Sequence, residues 1–141
     1  MRESFLHLGE HCETQYEVFL DEAGMVSMNV DLLHYADDRP ATVLDAKYKA
    51  VAGSPNADLY QMLAYCTALN LKHAVLVYAG KIPPLIRRVV FTDIDVTVHA
   101  LDLSQSPAEM LSALKRLAES VRDEALQERL ARRAGARESF A

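Results

Sequence analysis

The sequence is poor in residues that break regular structure, and it has no long apolar run. It holds only 5 glycines and 5 prolines in 141 residues, too few for a low-complexity chain. No apolar stretch reaches the roughly 18–20 residues that a membrane-spanning helix needs. Residues 1–4 lack the basic and apolar regions of a signal peptide. We therefore expect a cytoplasmic protein with no membrane partner.

Cysteine is also scarce. Cys12 and Cys66 are not spaced as a metal-binding cluster, and they fit a reduced cytosolic setting. Cys66 falls on the apolar face of a predicted helix, which indicates a small core residue. The length of 141 residues predicts one domain spanning residues 1–141, and a hydrophobic content of 50% is enough for a core.

The net charge of −5 does not by itself indicate a nucleic-acid-binding protein. Its distribution is uneven, because residues 1–60 hold 4 Lys or Arg against 11 Asp or Glu. Residues 61–141 hold 11 against 9. An acidic half beside a mildly basic half suits a nuclease, in which cations offset the acids. Ordinary surface charge explains the same counts.

Alternating apolar residues and turn signals predict a β-meander in the first third of the chain. Turns at 21–24 and 37–40 separate strands at 16–20, 25–35 and 41–49. The short connections predict antiparallel pairing. Residues before this meander show no clear pattern.

A helix and a buried strand follow the meander. Ser54 and Pro55 form a helix-start signature for a helix at 55–70. The strand at 73–79 is apolar almost throughout, which is typical of a strand covered on both faces. The third strand, this helix and this strand predict a right-handed crossover with parallel strands.

The rest of the chain predicts two strands and a long helix. The strands span 85–91 and 94–102. A capping box at Ser106–Glu109 begins a helix that extends to about Arg133, and Gly135 is the predicted stop signal. We therefore predict an α/β fold with a central mixed sheet, built from an antiparallel meander plus one right-handed βαβ crossover and flanked by helices.

The most informative segment is residues 43–49, Val-Leu-Asp-Ala-Lys-Tyr-Lys. Alternate side chains share one face of a strand, so Asp45 and Lys47 project together beside Asp31 of the neighbouring strand. Paired carboxylates repel each other unless a cation lies between them, and Mg²⁺ prefers oxygen ligands. The two acids and the backbone carbonyl of Ala46 would bind the metal, and Lys47 would orient or deprotonate a water beside a phosphate.

Alternation along the second strand also divides its side chains between two faces. We expect Asp31 and Leu33 on one face, and Val30, Leu32 and His34 on the other.

The predicted helix adds a polar strip. Asp58, Gln61 and Tyr65 lie at positions i, i+3 and i+7. Gln61 and Tyr65 would reach a nucleic-acid backbone or orient Lys47. For Asp58 the simpler explanation is a favourable interaction with the positive end of the helix.

In this order, Asp31, Asp45-Ala46-Lys47 and Gln61-x-x-x-Tyr65 resemble the PD-(D/E)XK nuclease superfamily. The sequence of 43–49, followed by that of 57–65, is similar to the nuclease subunit of modified-cytosine-dependent restriction systems, the McrC type. The Gln/Tyr pair is shared with RecB-type exonuclease domains. The resemblance spans roughly residues 25–80.

The resemblance implies a restriction-endonuclease-like core and a DNA endonuclease that depends on Mg²⁺, with Mn²⁺ as a substitute. Asp31 and Asp45 would bind the metal, Lys47 would serve the attacking water, and Lys49, Gln61 and Tyr65 would contact DNA or support the site. It also implies a GTP-hydrolysing motor as partner. This motor would be a separate chain, since the sequence has no Walker-type motif. A homodimer stays open.

The chain departs from the family pattern in two places. Val30 stands where the superfamily name leads one to expect Pro. The superfamily core also opens with a helix that often supplies a further acid, and little chain precedes the first predicted strand. The candidate substitutes are Glu3, Glu10, Glu13 and Glu17.

The N-terminal recruitment domain of the restriction subunit is not found in this sequence. A minimal stand-alone nuclease, a truncated product and an inactive remnant stay open as explanations. Two other functions stay open with them: a non-catalytic subunit that docks on a motor or on DNA, and a RecB-like repair exonuclease that needs DNA ends.

Overall fold

The computed structural model describes the backbone of residues 1–50 and 56–139, and the side chains of residues 1–47 and 56–135. These residues form a sheet and the helices that cover it. In chain order the elements are α1 (Arg2–His7), β1 (His11–Phe19), β2 (Ser27–Ala36), β3 (Arg39–Ala50), α2 (Asn56–Leu69), β4 (His73–Ala79), β5 (Leu85–Arg88), β6 (Asp95–Leu101) and α3 (Pro107–Ser139).

The strands form one mixed sheet in the order β1-β2-β3-β4-β6-β5. β1, β2 and β3 are antiparallel neighbours, which confirms the predicted meander. β4 lies parallel to both β3 and β6, and β5 closes the edge antiparallel to β6. The predicted α/β class and the parallel placement of β4 beside β3 are confirmed.

Helices cover both faces of the sheet. On the α2 face, Val43 and Leu76 pack with Met62 in one buried cluster. On the opposite face, Leu44 and Val75 pack in a second cluster, which includes residues of α1 and α3. Because neighbouring residues of β4 are buried on opposite faces, this strand is apolar almost throughout. Among the described residues, no helix is both long and apolar enough to cross a membrane.

The first strand begins earlier than predicted. β1 pairs with β2 from His11 opposite Tyr35 to Phe19 opposite Ser27, with an interruption at Gln15 and Asp31. A hydrogen-bonded ladder needs only backbone groups. The mostly polar side chains at the start of β1 therefore gave no strand pattern in the sequence. The residues before the predicted meander form α1 and the beginning of β1.

The face assignment in β2 was wrong for Val30. Val30 and Leu33 belong to the same buried cluster on the α2 face, whereas Leu32 packs on the other face. Strict alternation therefore breaks between Val30 and Leu33, next to Asp31. The neighbouring residue of β1, Gln15, has a positive φ of 51°, so its backbone also departs from regular strand geometry.

The end of β5 also differs from the prediction, which placed it at residue 91. β5 ends at Arg88 because a turn follows, in which the amide of Thr92 donates to the carbonyl of Val89. The amide of Val89 in turn donates to the carbonyl of Ile94.

The long helix begins as predicted and ends later. The capping box is confirmed, since the amide of Glu109 donates to Ser106 Oγ at 3.2 Å and the amide of Ser106 donates to Glu109 Oε2 at 3.1 Å. The predicted stop at Gly135 is wrong, because α3 continues to Ser139. Glycine lowers helix stability by only about 1 kcal/mol relative to alanine, so it does not force an end. The predicted helix start at Ser54 and Pro55 lies outside the described residues.

Candidate active site

Asp31 and Asp45 meet where β2 and β3 stop pairing. The ladder between these strands runs from Ala36 opposite Arg39 to Leu32 opposite Leu44. Asp31 and Asp45 are the next residues on the two strands. Asp31 raises the pKa of Asp45 as a hydrogen-bonding neighbour and by its charge, so the two carboxyl groups lie close together. The sheet therefore brings the two predicted acids together at the point where it opens.

The carboxyl group of Asp45 is held in a poorly hydrated position. The residue is only 4% exposed. Burial, and next the contact with Asp31, raise the pKa of Asp45 to about 6, against the opposing effect of Lys47. Burial disfavours the charged form, and a second carboxylate disfavours it further. The pair therefore favours the uptake of a proton or a cation.

Lys47 lies between the acids and α2. Its Nζ is 3.1 Å from Asp45 Oδ2 and donates a hydrogen bond of 2.8 Å to Gln61 Oε1. A third neighbour is Asp58, whose Oδ1 is 3.9 Å from Nζ. The side chain of Lys47 is 20% exposed, so it is held inside the site and still meets solvent.

Tyr65 of α2 supports the site through a hydrogen bond to β2. Its hydroxyl donates to the backbone carbonyl of Asn29 at 2.7 Å, and the residue is 3% exposed. Burial, followed by the charges of Asp45 and Asp31, raises the pKa of Tyr65 to about 12. This hydrogen bond fastens α2 to β2, and Gln61 on the same helix is the residue that contacts Lys47.

Asp58 and Tyr78 form a contact that the sequence analysis missed. The Tyr78 hydroxyl donates to Asp58 Oδ2 at 2.6 Å, and Tyr78 is 2% exposed. Burial first, and then this hydrogen bond, raise the pKa of Tyr78. Tyr78 pairs with Lys47 in the parallel register of β3 and β4. The sequence signal for this contact was the hydroxyl of Tyr78 in the mostly apolar strand β4, because a buried hydroxyl needs a hydrogen-bond partner.

Gln15 is a second residue that sequence reasoning missed. Its Nε2 donates to Asp31 Oδ1 at 3.3 Å from a backbone with a φ of 51°. A left-handed conformation in a residue other than glycine is unfavourable. No glycine or asparagine marks this conformation in the sequence, and strand residues flank Gln15 on both sides.

None of the proposed substitute acids contacts the carboxylate pair. These are Glu3, Glu10, Glu13 and Glu17. Glu10 pairs instead with the buried His34 at 3.3 Å, and Glu13 accepts a hydrogen bond of 3.1 Å from Tyr35. Within the described residues, no group of three or more His, Cys, Asp or Glu is arranged to hold a metal ion. Asp31 and Asp45 are therefore the two carboxylates that could share a cation, and Asp58 is a further carboxylate beside Lys47.

The remaining predicted site residues are Ala46 and Lys49. Ala46 lies between Asp45 and Lys47 on β3, beyond the last β2–β3 pair, and is partly exposed. Ala46 also pairs with Val77 of β4, and the role of its carbonyl as a metal ligand stays a prediction. The side chain of Lys49 lies outside the described residues.

One comparison with known proteins gives a match. A family model described as "McrBC 5-methylcytosine restriction system component" matches residues 2–79, more than half of the chain. The matched segment runs from α1 to the end of β4 and includes the site around Asp31, Asp45 and Lys47. No curated protein matches the chain.

Proposed function

The chain belongs to the family of McrBC 5-methylcytosine restriction system components, and from this premise we propose that it is a metal-dependent DNA endonuclease within such a system. The observation that carries the proposal is the contact between Asp31 and Asp45 at the open end of the β2–β3 ladder, with Lys47 held beside them. Two acids and an amine at one point are the groups that phosphodiester hydrolysis needs.

The donor set suits Mg²⁺. This ion is commonly bound through one or two carboxylates and keeps several waters, so it does not need a third acid. Lys47 engages Oδ2 of Asp45 and Gln15 engages Oδ1 of Asp31. The other oxygen of each carboxylate can bind a cation, together with the carbonyl of Ala46. When bound, the ion would polarise the phosphodiester and lower the pKa of a water molecule.

Lys47 would act on the attacking water and on the charge that develops at the phosphate. Its two short contacts, to Asp45 and Gln61, fix the position of Nζ before substrate binds. A positioned charge costs no reorganisation during the reaction, which is the main source of electrostatic catalysis. The contact with Gln61 ties this position to α2.

We propose DNA as the substrate and a separate GTP-hydrolysing motor as the partner. The family description names a component of a restriction system, which acts together with other components. The sequence has no Walker-type phosphate-binding loop. We therefore assign the motor role to a further component of such a system.

The test is cleavage of circular plasmid with Mg²⁺ or Mn²⁺ by the wild type, by Asp45→Asn and by a control, Asp93→Asn. Asp93 is exposed and distant in sequence from the site. We expect Asp45→Asn to lose at least about a hundredfold in cleavage, because loss of a mere supporting residue can already cost 10–100-fold. The control should retain full activity.

Two results would separate the alternatives. Cleavage of linear DNA alone would indicate an exonuclease that requires ends. If the folded wild type cleaves neither form, and Asp45→Asn leaves Mg²⁺ affinity unchanged, the enzymatic proposal is wrong.

A further inference from the structure

A second site lies away from the carboxylate pair, at the end of the sheet where β3 and β4 begin. A cavity of about 540 Å³ opens there between the β2–β3 turn, the loop after α2 and the C-terminal half of α3. Ala41 lines this cavity, and Asp45 lies four residues further along β3. This corresponds to about 13 Å of extended strand. The cavity is therefore separate from the candidate active site.

The cavity is strongly basic, although the chain carries a net charge of −5. Two acidic and five basic side chains line it: Asp37, Glu128, Arg39, Lys72, Arg129, Arg132 and Arg133. Both acids are already engaged. Asp37 pairs with Arg129, and Glu128 accepts a hydrogen bond of 2.6 Å from Arg132.

Three cations remain without a counter-charge. Arg39, Lys72 and Arg133 make no ion pair with any of the described residues. They come from three separate elements, β3, the loop before β4, and α3. Like charges that line one concave surface repel each other, and solvent weakens this repulsion most at the exposed Arg39 and Arg133. An anion in the cavity would relieve this repulsion.

Arg129 gives an independent indication. Its Nε is buried and has no hydrogen-bond partner. Buried donors are rarely left unpaired, so such an atom calls for a water or a ligand. The guanidinium already pairs with Asp37 through Nη1. Its Nε, on the same planar group, is available to a second acceptor.

We propose that this cavity binds a phosphate-bearing ligand, with Arg39, Lys72 and Arg133 as the charged contacts. Arginine presents paired donors that match the oxygens of a phosphate, and lysine adds a point charge. Leu71 and Ala125 provide apolar surface beside them. The volume is within the range of small-molecule sites, so it admits a ligand the size of a mononucleotide. The same chemistry suits the phosphodiester of a nucleic-acid strand.

The test compares the wild type with the variant Arg39→Gln/Lys72→Gln/Arg133→Gln by isothermal titration calorimetry. The probes are inorganic phosphate, deoxyadenosine monophosphate and a short single-stranded oligonucleotide, all in EDTA so that the carboxylate site carries no metal. The control is Lys115→Gln/Arg116→Gln, two exposed cations of α3 that do not line the cavity. We expect at least about a tenfold loss of phosphate affinity in the triple variant, because each charged hydrogen bond is worth about that much or more.

Thermal unfolding without added anions separates binding from a structural role. The triple variant should melt at the wild-type temperature or above it, because it removes mutual repulsion. Loss of nucleotide binding in the triple variant identifies a nucleotide site, and loss of oligonucleotide binding alone identifies a strand site. The proposal is overturned if the wild type binds none of the probes, if the triple variant binds them as the wild type does, or if the control weakens them equally.

Discussion

The substitution Asp45→Asn should stabilise the metal-free protein above neutral pH while it abolishes metal binding. Asp45 is 4% exposed, and its pKa is raised to about 6 from an ordinary 3.8 by burial and by the contact with Asp31. A raised carboxyl pKa in the folded state means that the ionised form is unfavourable there. Asparagine keeps the shape of the side chain and never ionises.

The magnitude follows from proton linkage. A rise of about two pKa units corresponds to about 3 kcal/mol, at about 1.4 kcal/mol per unit. The cost is absent below pH 3.8, grows as the pH rises, and is complete above about pH 6. The variant should therefore exceed the wild type by up to about 3 kcal/mol at pH 7.5. This corresponds to about 6–12 °C in melting temperature, at 2–4 °C per kcal/mol for a chain of this size.

The assay is thermal unfolding of both proteins in EDTA between pH 4 and pH 8. The difference between the two curves isolates Asp45 from other titrating groups, such as His34 and Glu124. Mg²⁺ at a hundredfold excess over its dissociation constant should then stabilise the wild type by about 2.7 kcal/mol and leave Asp45→Asn unchanged. A difference that does not vary with pH, or a variant less stable at pH 7.5, would refute the account of the carboxylate pair.

Three further substitutions test the surroundings of the pair. Lys47→Gln should reduce plasmid cleavage at least about a hundredfold, as expected for a group that acts on a proton. Calorimetry should show equal or tighter Mg²⁺ binding, and weaker binding would contradict the role of Lys47. Tyr78→Phe should cost about 1–3 kcal/mol in urea unfolding, because it removes the buried hydrogen bond from the Tyr78 hydroxyl to the charged group of Asp58; an unchanged midpoint would contradict this. Gln15→Gly should raise stability by up to about 1 kcal/mol, since glycine adopts a φ of 51° without strain. A loss would mean that the hydrogen bond to Asp31 outweighs the strain.

The order and type of most elements could be predicted because period and turn chemistry are local properties. The capping box at Ser106 and the buried strand at 73–79 are examples. The start of β1 could not be predicted in this way, because its residues pair through the backbone and, apart from the buried Cys12, residues 11–15 are polar. The end of α3 was missed because the glycine penalty is smaller than the gain from continuing the helix.

The centre of the site was accessible from the sequence, whereas its supporting contacts were not. Alternation along β3 places Asp45 beside Lys47, and the short turn places Asp31 on the neighbouring strand. The contact between Asp58 and Tyr78 depends on where α2 docks across β4. That docking is a tertiary property, so the sequence alone offers only the helix-dipole explanation of Asp58.

The most direct test of the central claim is to measure Mn²⁺ binding at pH 7.5 by isothermal titration calorimetry. The proteins compared are the wild type, Asp31→Asn and the control Asp93→Asn. If Asp31 and Asp45 together bind a divalent cation, the wild type and the control should bind with equal affinity, and Asp31→Asn should lose this binding. Equal binding by all three proteins would place the metal elsewhere and contradict the account.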